Sequence, residues 1–420
     1  MPNPATIRPL ARTLWLAPHR PLFLAAGVWA LTALAWWQWG AAAGLPAPVL
    51  GTWSLWHGHE MLFGLGAAAV GGYFLTASTG WRGGAPVAGG RLVLLVGLWL
   101  LARAVLVAEG LGASLSPWLL HPAAAAYFLL LAGLLMAEAV AARRWGKLGF
   151  GAGVLAFGLA EVLYLRAALG AGFPDATAAV RIGWMFFAIK ISIIAGRMVP
   201  AFTLNWMRQT GLAAPDPAPG PVAGWTALGL LWLALALTFA GEELVSALAL
   251  IGAGVAQGAR LVRWRGWAAR RNPLLLLLHA TFGWLAVGLV LVGLARLGLL
   301  PIAEMDALHA LTMGAMSGMI LSLAARAAAP RDGGPLRARG SMLAAFALVW
   351  AAALVRLATP LLPGDAVSLA AGLWCAGWLA FLWGYVPTLF HPPQRPVFSG
   401  PRARIAPADQ IVQIGPRHER

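Results

Sequence analysis

The sequence predicts an all-α fold: a polytopic membrane helical bundle of about twelve transmembrane helices, with both termini in the cytoplasm (N-in, C-in). Three observations carry this. Of 420 residues, 60% are apolar and 10% are charged, with a mean hydropathy of +0.76. A soluble globular chain is nearer 45–50% apolar and about 25% charged. Apolar runs of bilayer length recur from end to end, and the Lys and Arg residues fall unevenly on the breaks between them. This composition excludes a soluble enzyme, a disordered chain and a disulfide scaffold. The single cysteine, Cys375, excludes any intramolecular disulfide and any cysteine-based zinc or iron–sulfur site.

A crossing takes roughly 20 apolar residues. The runs that meet this length cover residues 21–43, 57–79, 91–112, 118–142, 147–170 and 180–202. Six more follow at 221–241, 244–264, 273–297, 305–328, 340–360 and 365–390. The first run is too long for a signal-peptide core and reads as a retained span that starts in the cytoplasm. No window holds a soluble domain. Residues 1–392 therefore read as one transmembrane domain of two six-helix halves. The Ala/Pro-rich stretch near 208–221 links the halves, and 393–420 is a basic, disordered cytoplasmic tail.

Orientation comes from the charges. With the N-terminus inside, inner loops and tails hold twenty-three of the thirty Lys and Arg. Outer loops hold four: Arg166, Arg181, Arg296 and Arg356. Eight of the fourteen acids, among them Glu60, Glu243, Glu304 and Asp306, fall outside. The net charge of +16 is thus an orientation signal and not a nucleic-acid surface. Trp53, Trp56, Trp81, Trp118, Trp145, Trp206, Trp225 and Trp267 at segment ends fit an interfacial aromatic belt. Arg103, Lys190 and Arg197 remain within spans, with Glu161 as the matching acid. Ionisable groups at that depth are functional candidates. The alternative is a structural ion pair of Glu161 with Lys190 or Arg103.

The eight histidines sort by depth. His57 and His59 open helix 2, His121 opens helix 4 and His309 lies near the start of helix 10, all at the outer face. His19 precedes helix 1, and His279 is two turns into helix 9 from the inner side. His391 and His418 belong to the tail region. Neutral imidazole is the commonest transition-metal ligand and the usual axial ligand of a haem b. Helices 2 and 10 run in the same direction and carry histidine at similar depth, as a bis-histidine haem requires. His57 and His59 are about 200° apart on an ideal helix, so one iron does not take both. One of the two could bind haem while the other faces a second metal, a propionate or a partner side chain. His309, Met313 and Met316 share a helix face. Thioethers beside imidazole suit copper(I), although methionine at this spacing also serves as packing. The alternative for His57, His59 and His309 is a hydrogen bond to loop carbonyls.

Some motifs are false. His59-Glu60 lacks the second histidine of a zinc protease motif, because residue 63 is Phe. Gly64-Leu-Gly66 and Gly151-Ala-Gly153 lie inside spans with no preceding strand, so they are not dinucleotide fingerprints. Gly314 and Gly318 instead suggest close helix contacts.

Three strings carry a family resemblance. They are Trp56-His57-Gly58-His59-Glu60-Met61-Leu62-Phe63-Gly64, continuing to Gly72-Tyr73-Phe74-Leu75-Thr76-Ala77; Gly196-Arg197-Met198-Val199-Pro200-Ala201-Phe202-Thr203-Leu204-Asn205-Trp206; and His309-Ala310-Leu311-Thr312-Met313-Gly314-Ala315, ending near Arg326. With Pro18-His19-Arg20 they resemble the NnrS family of bacterial inner-membrane proteins over nearly the whole chain. The resemblance implies twelve spans, bound haem and copper, and a role in denitrification and protection against nitric oxide. Nitric oxide or nitrosylated iron is the implied ligand, with an unidentified electron donor. Ligand candidates are His57, His59 and His309, with His279 and His19 as further candidates for a metal; if redox chemistry occurs, His59 and His309 are the expected axial pair and Arg197 or Arg103 the expected partner of a propionate. The stretch from Arg326 to Gly334 departs from the polar, often histidine-bearing pattern. The architecture also resembles haem–copper oxidase subunit I. Helix 6, however, carries Lys190 rather than a His-x-x-x-Tyr pair, and helix 7 has no His-His pair, which disfavours oxygen reduction. The competing expectation is a twelve-span permease using Arg103, Glu161, Lys190 and Arg197.

Overall fold

The computed structural model describes residues 10–83, 85–170, 172–212, 222–329, 338–393 and 397. Residues 213–221 of the expected linker, residues 330–334 of the atypical stretch, and the tail beyond 393 apart from 397 lie outside them. Among the described residues no strand forms. Among the described residues, twelve helices are long and apolar enough to cross a membrane. They are α1 His19–Trp39, α2 Trp53–Arg82, α3 Gly90–Gly110, α4 Pro117–Ala141, α5 Trp145–Ala168 and α6 Ala176–Gln209. They continue as α7 Val222–Ala240, α8 Glu243–Arg263, α9 Pro273–Arg296, α10 Glu304–Ala328, α11 Gly340–Leu357 and α12 Ala366–Phe390. The chain is a multi-pass membrane protein.

The apolar runs located every helix, and two differ in extent. The α2 helix starts earlier than expected, because Thr52 caps it by accepting from the Leu55 amide at 3.2 Å. His57 and His59 therefore lie one to two turns inside. The α6 helix has 34 residues rather than about 23, capped by Asp175, which accepts from the Ala178 amide at 2.8 Å. It runs through Pro200, which membrane helices tolerate because neighbouring groups satisfy the freed backbone. At 1.5 Å per residue it spans about 51 Å, longer than a hydrocarbon core of about 30 Å.

Three helices form the centre. The most apolar windows of α2, α6 and α10 are 83%, 72% and 89% buried, against 28–56% for the other nine. Every fourth helix is thus enclosed, and the rest form a shell. Small residues permit this closeness. A Cβ on Gly66 would lie 2.4 Å from Phe187 of α6. On Gly314 it would lie 2.4 Å from Trp284, and on Gly318 2.8 Å from Thr281, both of α9. The close contacts expected at Gly314 and Gly318 are made.

The shell closes between its first and last helices. Arg20 is 2% exposed and donates to the carbonyls of Thr388 (3.0 Å), His391 (2.7 Å) and Leu389. The Tyr385 hydroxyl donates to the His19 carbonyl at 2.7 Å, and the His19 amide donates to Thr76 Oγ1 at 3.1 Å. Pro18-His19-Arg20 is therefore a joint between α1, α2 and α12. At the other end of the bundle, Arg181 meets Glu304 (2.6 Å) and Glu243 (2.8 Å), while Arg296 meets Glu304 (2.7 Å). The belt is partly formed. Trp118, Trp145, Trp225 and Trp267 are exposed, but Trp56 is 1% exposed and packs edge-on against Trp36. Trp56 belongs to the core because its helix begins a turn before it.

Replacing Arg20 with Met removes a charged donor from three buried carbonyls. A hydrogen bond to a charged group is worth about 1.5–3 kcal/mol. The expected outcome is a loss of about 3 kcal/mol, read as a lower Tm in detergent by tryptophan fluorescence.

Candidate functional site

The site is built on α2 and α10, and both depart from α-helical register at the same place relative to their histidines. Residues Glu60–Leu65 of α2 and Ala310–Ser317 of α10 are π-helical. His59 directly precedes the first segment and His309 the second. Such wide turns are rare and concentrate at functional sites. In α10 the Ser317 hydroxyl donates to the Thr312 carbonyl five residues back, at 2.8 Å. In α2 Gly64 leaves room for the indole of Trp29, which would lie 2.5 Å from an added Cβ.

His57 and His59 point to different neighbourhoods, as their angular separation requires. His59 is fully buried in a charged cluster. Its Nδ1 is 3.0 Å from Glu60 Oε1, and its Nε2 is 3.2 Å from Glu161 Oε1. Arg103 bridges the same two acids, at 2.7 Å from Glu60 and 3.1 Å from Glu161. Trp29 Nε1 donates to Glu60 at 2.7 Å. Phe63 and Tyr164 flank the imidazole, with ring centroids 5.1 and 5.5 Å away. The expected structural pairing of Glu161 is thus with Arg103. Both terminal nitrogens of Arg103 serve carboxylates of this cluster, and Arg103 does not line the cavity that holds His57 and His309.

His57 and His309 line one cavity of about 480 Å³, within the range of about 300–1,000 Å³ for small-molecule sites. Its walls come from α1, α2, α6, α10, α11 and α12 and include Trp37, Met61, Met313, Met316 and Trp374. The His57 ring stacks on Trp37, with centroids 4.4 Å apart at 28°. Its Nδ1 is buried and has no hydrogen-bond partner among the described residues. His309 Nδ1 donates to the Met305 carbonyl at 2.9 Å, which leaves Nε2 as the nitrogen with a free lone pair. A ring fixed through one nitrogen with the other open is the arrangement of a metal-ligating histidine. Arg356 also lines the cavity, paired with Asp306 at 2.8 Å and bonded to Thr359 Oγ1 at 3.1 Å.

The remaining candidates lie elsewhere. His279 Nε2 is 2.9 Å from Thr203 Oγ1, in the half of α6 away from the cavity. His19 is buried at the α1–α12 joint, and His121 does not line the cavity. Arg197, expected at depth, is exposed on the second half of α6. Lys190 packs against Phe157, 3.7 Å from the ring centroid. Among the described residues no group of three His, Cys, Asp or Glu gathers around a point that could hold a metal. Sequence reasoning missed Arg356, Met61 and Trp37. Met61 was available, because it is one turn from His57 on the same face. Arg356 was available as an outer charge level with both histidines.

Two substitutions separate the buried cluster from the exposed charge. Arg103→Met leaves two buried carboxylates without their cation, which costs about 3–5 kcal/mol. Arg197→Met changes stability by less than about 0.5 kcal/mol. Thermal unfolding in one detergent reads both.

No curated protein matches the chain. A family model described as "NnrS protein" matches residues 13–392. That match takes in all twelve helices, both π-helical segments and every residue of the cavity, and the chain accordingly belongs to the NnrS family.

Proposed function

We propose that this chain is a haem protein of the bacterial inner membrane that acts on nitric oxide, in nitrosative stress defence or denitrification, with haem b held in the cavity by His57 and His309. The observation that carries the reading is the meeting of these two imidazoles in one largely apolar cavity, each with a ring nitrogen to spare. The expected partner of His309 was His59. The geometry favours His57, because His59 is enclosed by Glu60, Glu161 and Arg103.

The chain's own residues define what the site does. The Met305 carbonyl fixes the tautomer and tilt of His309, and Trp37 fixes the plane of His57. Trp37 and Trp374 offer flat apolar walls. Arg356, not Arg103 or Arg197, is the cation in position to meet a carboxylate of the ligand. A bound haem supplies an iron that either takes a diatomic gas or passes electrons, according to whether one or both histidines hold it. Nitric oxide is small and apolar, so a cavity inside the membrane is open to it. Copper is a further occupant of the same cavity. The thioethers of Met61, Met313 and Met316 beside the two imidazoles are soft donors that suit copper(I).

A permease reading draws on Arg103, Glu161, Lys190 and Arg197. Of these four, Arg103 and Glu161 pair with each other, Arg197 is exposed, and Lys190 packs on aromatic rings.

Absorption spectra of oxidised and dithionite-reduced protein, purified from a haem-supplied host, test the proposal. The wild type shows a Soret band that shifts when nitric oxide is added to the reduced form. His57→Ala and His309→Ala each lose most of that band, whereas His59→Gln keeps it. A folded, colourless wild type overturns haem binding. Loss of the band in His59→Gln, with retention in His57→Ala, restores the His59–His309 pair.

A further inference from the structure

The three central helices do not close completely beyond the histidine cavity. A second space of about 60 Å³ lies where α2, α6 and α10 meet α1. A water molecule needs about 10–15 Å³ of such space, so the pocket has room for more than one. Its walls include the rings of Phe23 and Phe187 and the side chains of Ala69, Ile191, Met316 and Met319. Two polar residues also reach it, and both place their polar ends elsewhere. Lys190 Nζ is buried 3.7 Å from the centroid of Phe157, a ring of α5 that is not part of the wall. The Tyr73 hydroxyl is 3.9 Å from Met198 Sδ, again outside the wall. No polar atom faces the space.

These walls select an occupant. A buried water needs two to four hydrogen-bond partners, and an apolar cavity that offers none stays dry and takes up apolar ligands such as xenon. A polar or charged ligand would be buried there with its hydrogen-bonding groups unpaired, and a large one exceeds the volume. What fits is small, uncharged and apolar. The pocket also adjoins the histidine cavity through one side chain, because Met316 lines both. A narrow space of about 10 Å³ runs beside that side chain. It shares Thr312 and Met316 with the histidine cavity, and Phe187, Ile191 and Met316 with the pocket. Methionine is unbranched with three rotatable bonds, so a rotation of Met316 can widen this neck without moving the backbone.

We propose that the pocket is a docking site for a small uncharged apolar gas, separated from the histidine cavity by the side chain of Met316. The identification of that gas as nitric oxide rests on the function proposed above, whereas the site itself does not. A gas that dissolves in hydrocarbon gathers in such a pocket and reaches the histidine cavity past Met316. Gas that leaves the histidine cavity has the same pocket to return from.

Xenon is the probe, because it needs no haem. Full-length protein carrying ¹³C-labelled methionine methyl groups, in lipid nanodiscs, is titrated with xenon gas and followed by NMR. Met316→Leu and Met319→Leu assign the two signals. Both are expected to shift together and to saturate, while Met342, buried away from the pocket, stays in place. Ala69→Leu fills the pocket and is expected to abolish the Met319 shift, with the Met313 signal unmoved as the check on folding. A Met319 signal that ignores xenon, or follows it without saturating, overturns the site, as does a shift that Ala69→Leu leaves intact. A Met316 signal that stays still while Met319 moves overturns the connection. The wild-type titration stands even if Ala69→Leu fails to fold. In haem-loaded protein, nitric oxide is released from the reduced form by a light flash. The fraction that rebinds without leaving the protein is expected to fall severalfold in Ala69→Leu, and an unchanged fraction overturns the passage past Met316. A colourless protein that binds xenon at Met319 overturns the haem reading and keeps the site. A coloured protein whose Met319 ignores xenon does the reverse.

Discussion

The constraint on which the site depends is the cost of placing charge in hydrocarbon. Glu60, Arg103 and Glu161 come from α2, α3 and α5, and none is tolerable there alone. Together with His59 they satisfy most of one another's donors and acceptors. The closure sets the rotation of α2 about its axis. Once Glu60 and His59 must face α3 and α5, His57 is turned to the opposite side, where α1, α10 and α12 meet. The charged cluster thus positions the cavity histidine without touching what the cavity holds.

The π-helical segments act at the next level. A residue inserted into the turn of α2 after His59, and into that of α10 after His309, shifts everything beyond it relative to everything before it. The histidine ends of α2 and α10 can then open around a cavity while their remaining turns stay tightly packed. Glycine makes the packing possible where the register changes. Gly64 admits Trp29, and Gly314 admits Trp284. The same two helices carry the highest burial among the twelve spans and the two histidines that line the cavity. The space therefore reflects the arrangement of these helices and is not a gap at the edge of the fold.

The charges at the histidine end work differently. Arg181, Arg296 and Glu304 tie α6, α9 and α10, and Arg356 with Asp306 ties α11 to α10. They lie near helix ends, where Arg181 bonds both Glu304 and Glu243 and Arg296 bonds both Glu304 and Ser246. Arg356 has a double place, as a rim ion pair and as a lining group of the cavity. An arginine there keeps its charge in any surroundings, which holds the ion pair with Asp306 at the cavity wall. Lys190 is the counter-example, an amine where the partner is aromatic.

The sequence by itself determined the helix count, the approximate limits of each span, the bilayer-spanning character, and the helices that carry the histidines of the site. Those features depend on residues that are neighbours along the chain, through apolar run length and the spacing of charge. It also placed His57 and His59 on different faces, because helical geometry alone does so. Only the tertiary structure decided which of the two meets His309, that Arg103 belongs to Glu60 and Glu161, that Arg197 is exposed and that Arg356 lines the cavity. Each of these depends on the rotation of one helix against another, set by contacts between residues far apart in the chain. The length of an apolar run says nothing about the direction in which its polar residues will point.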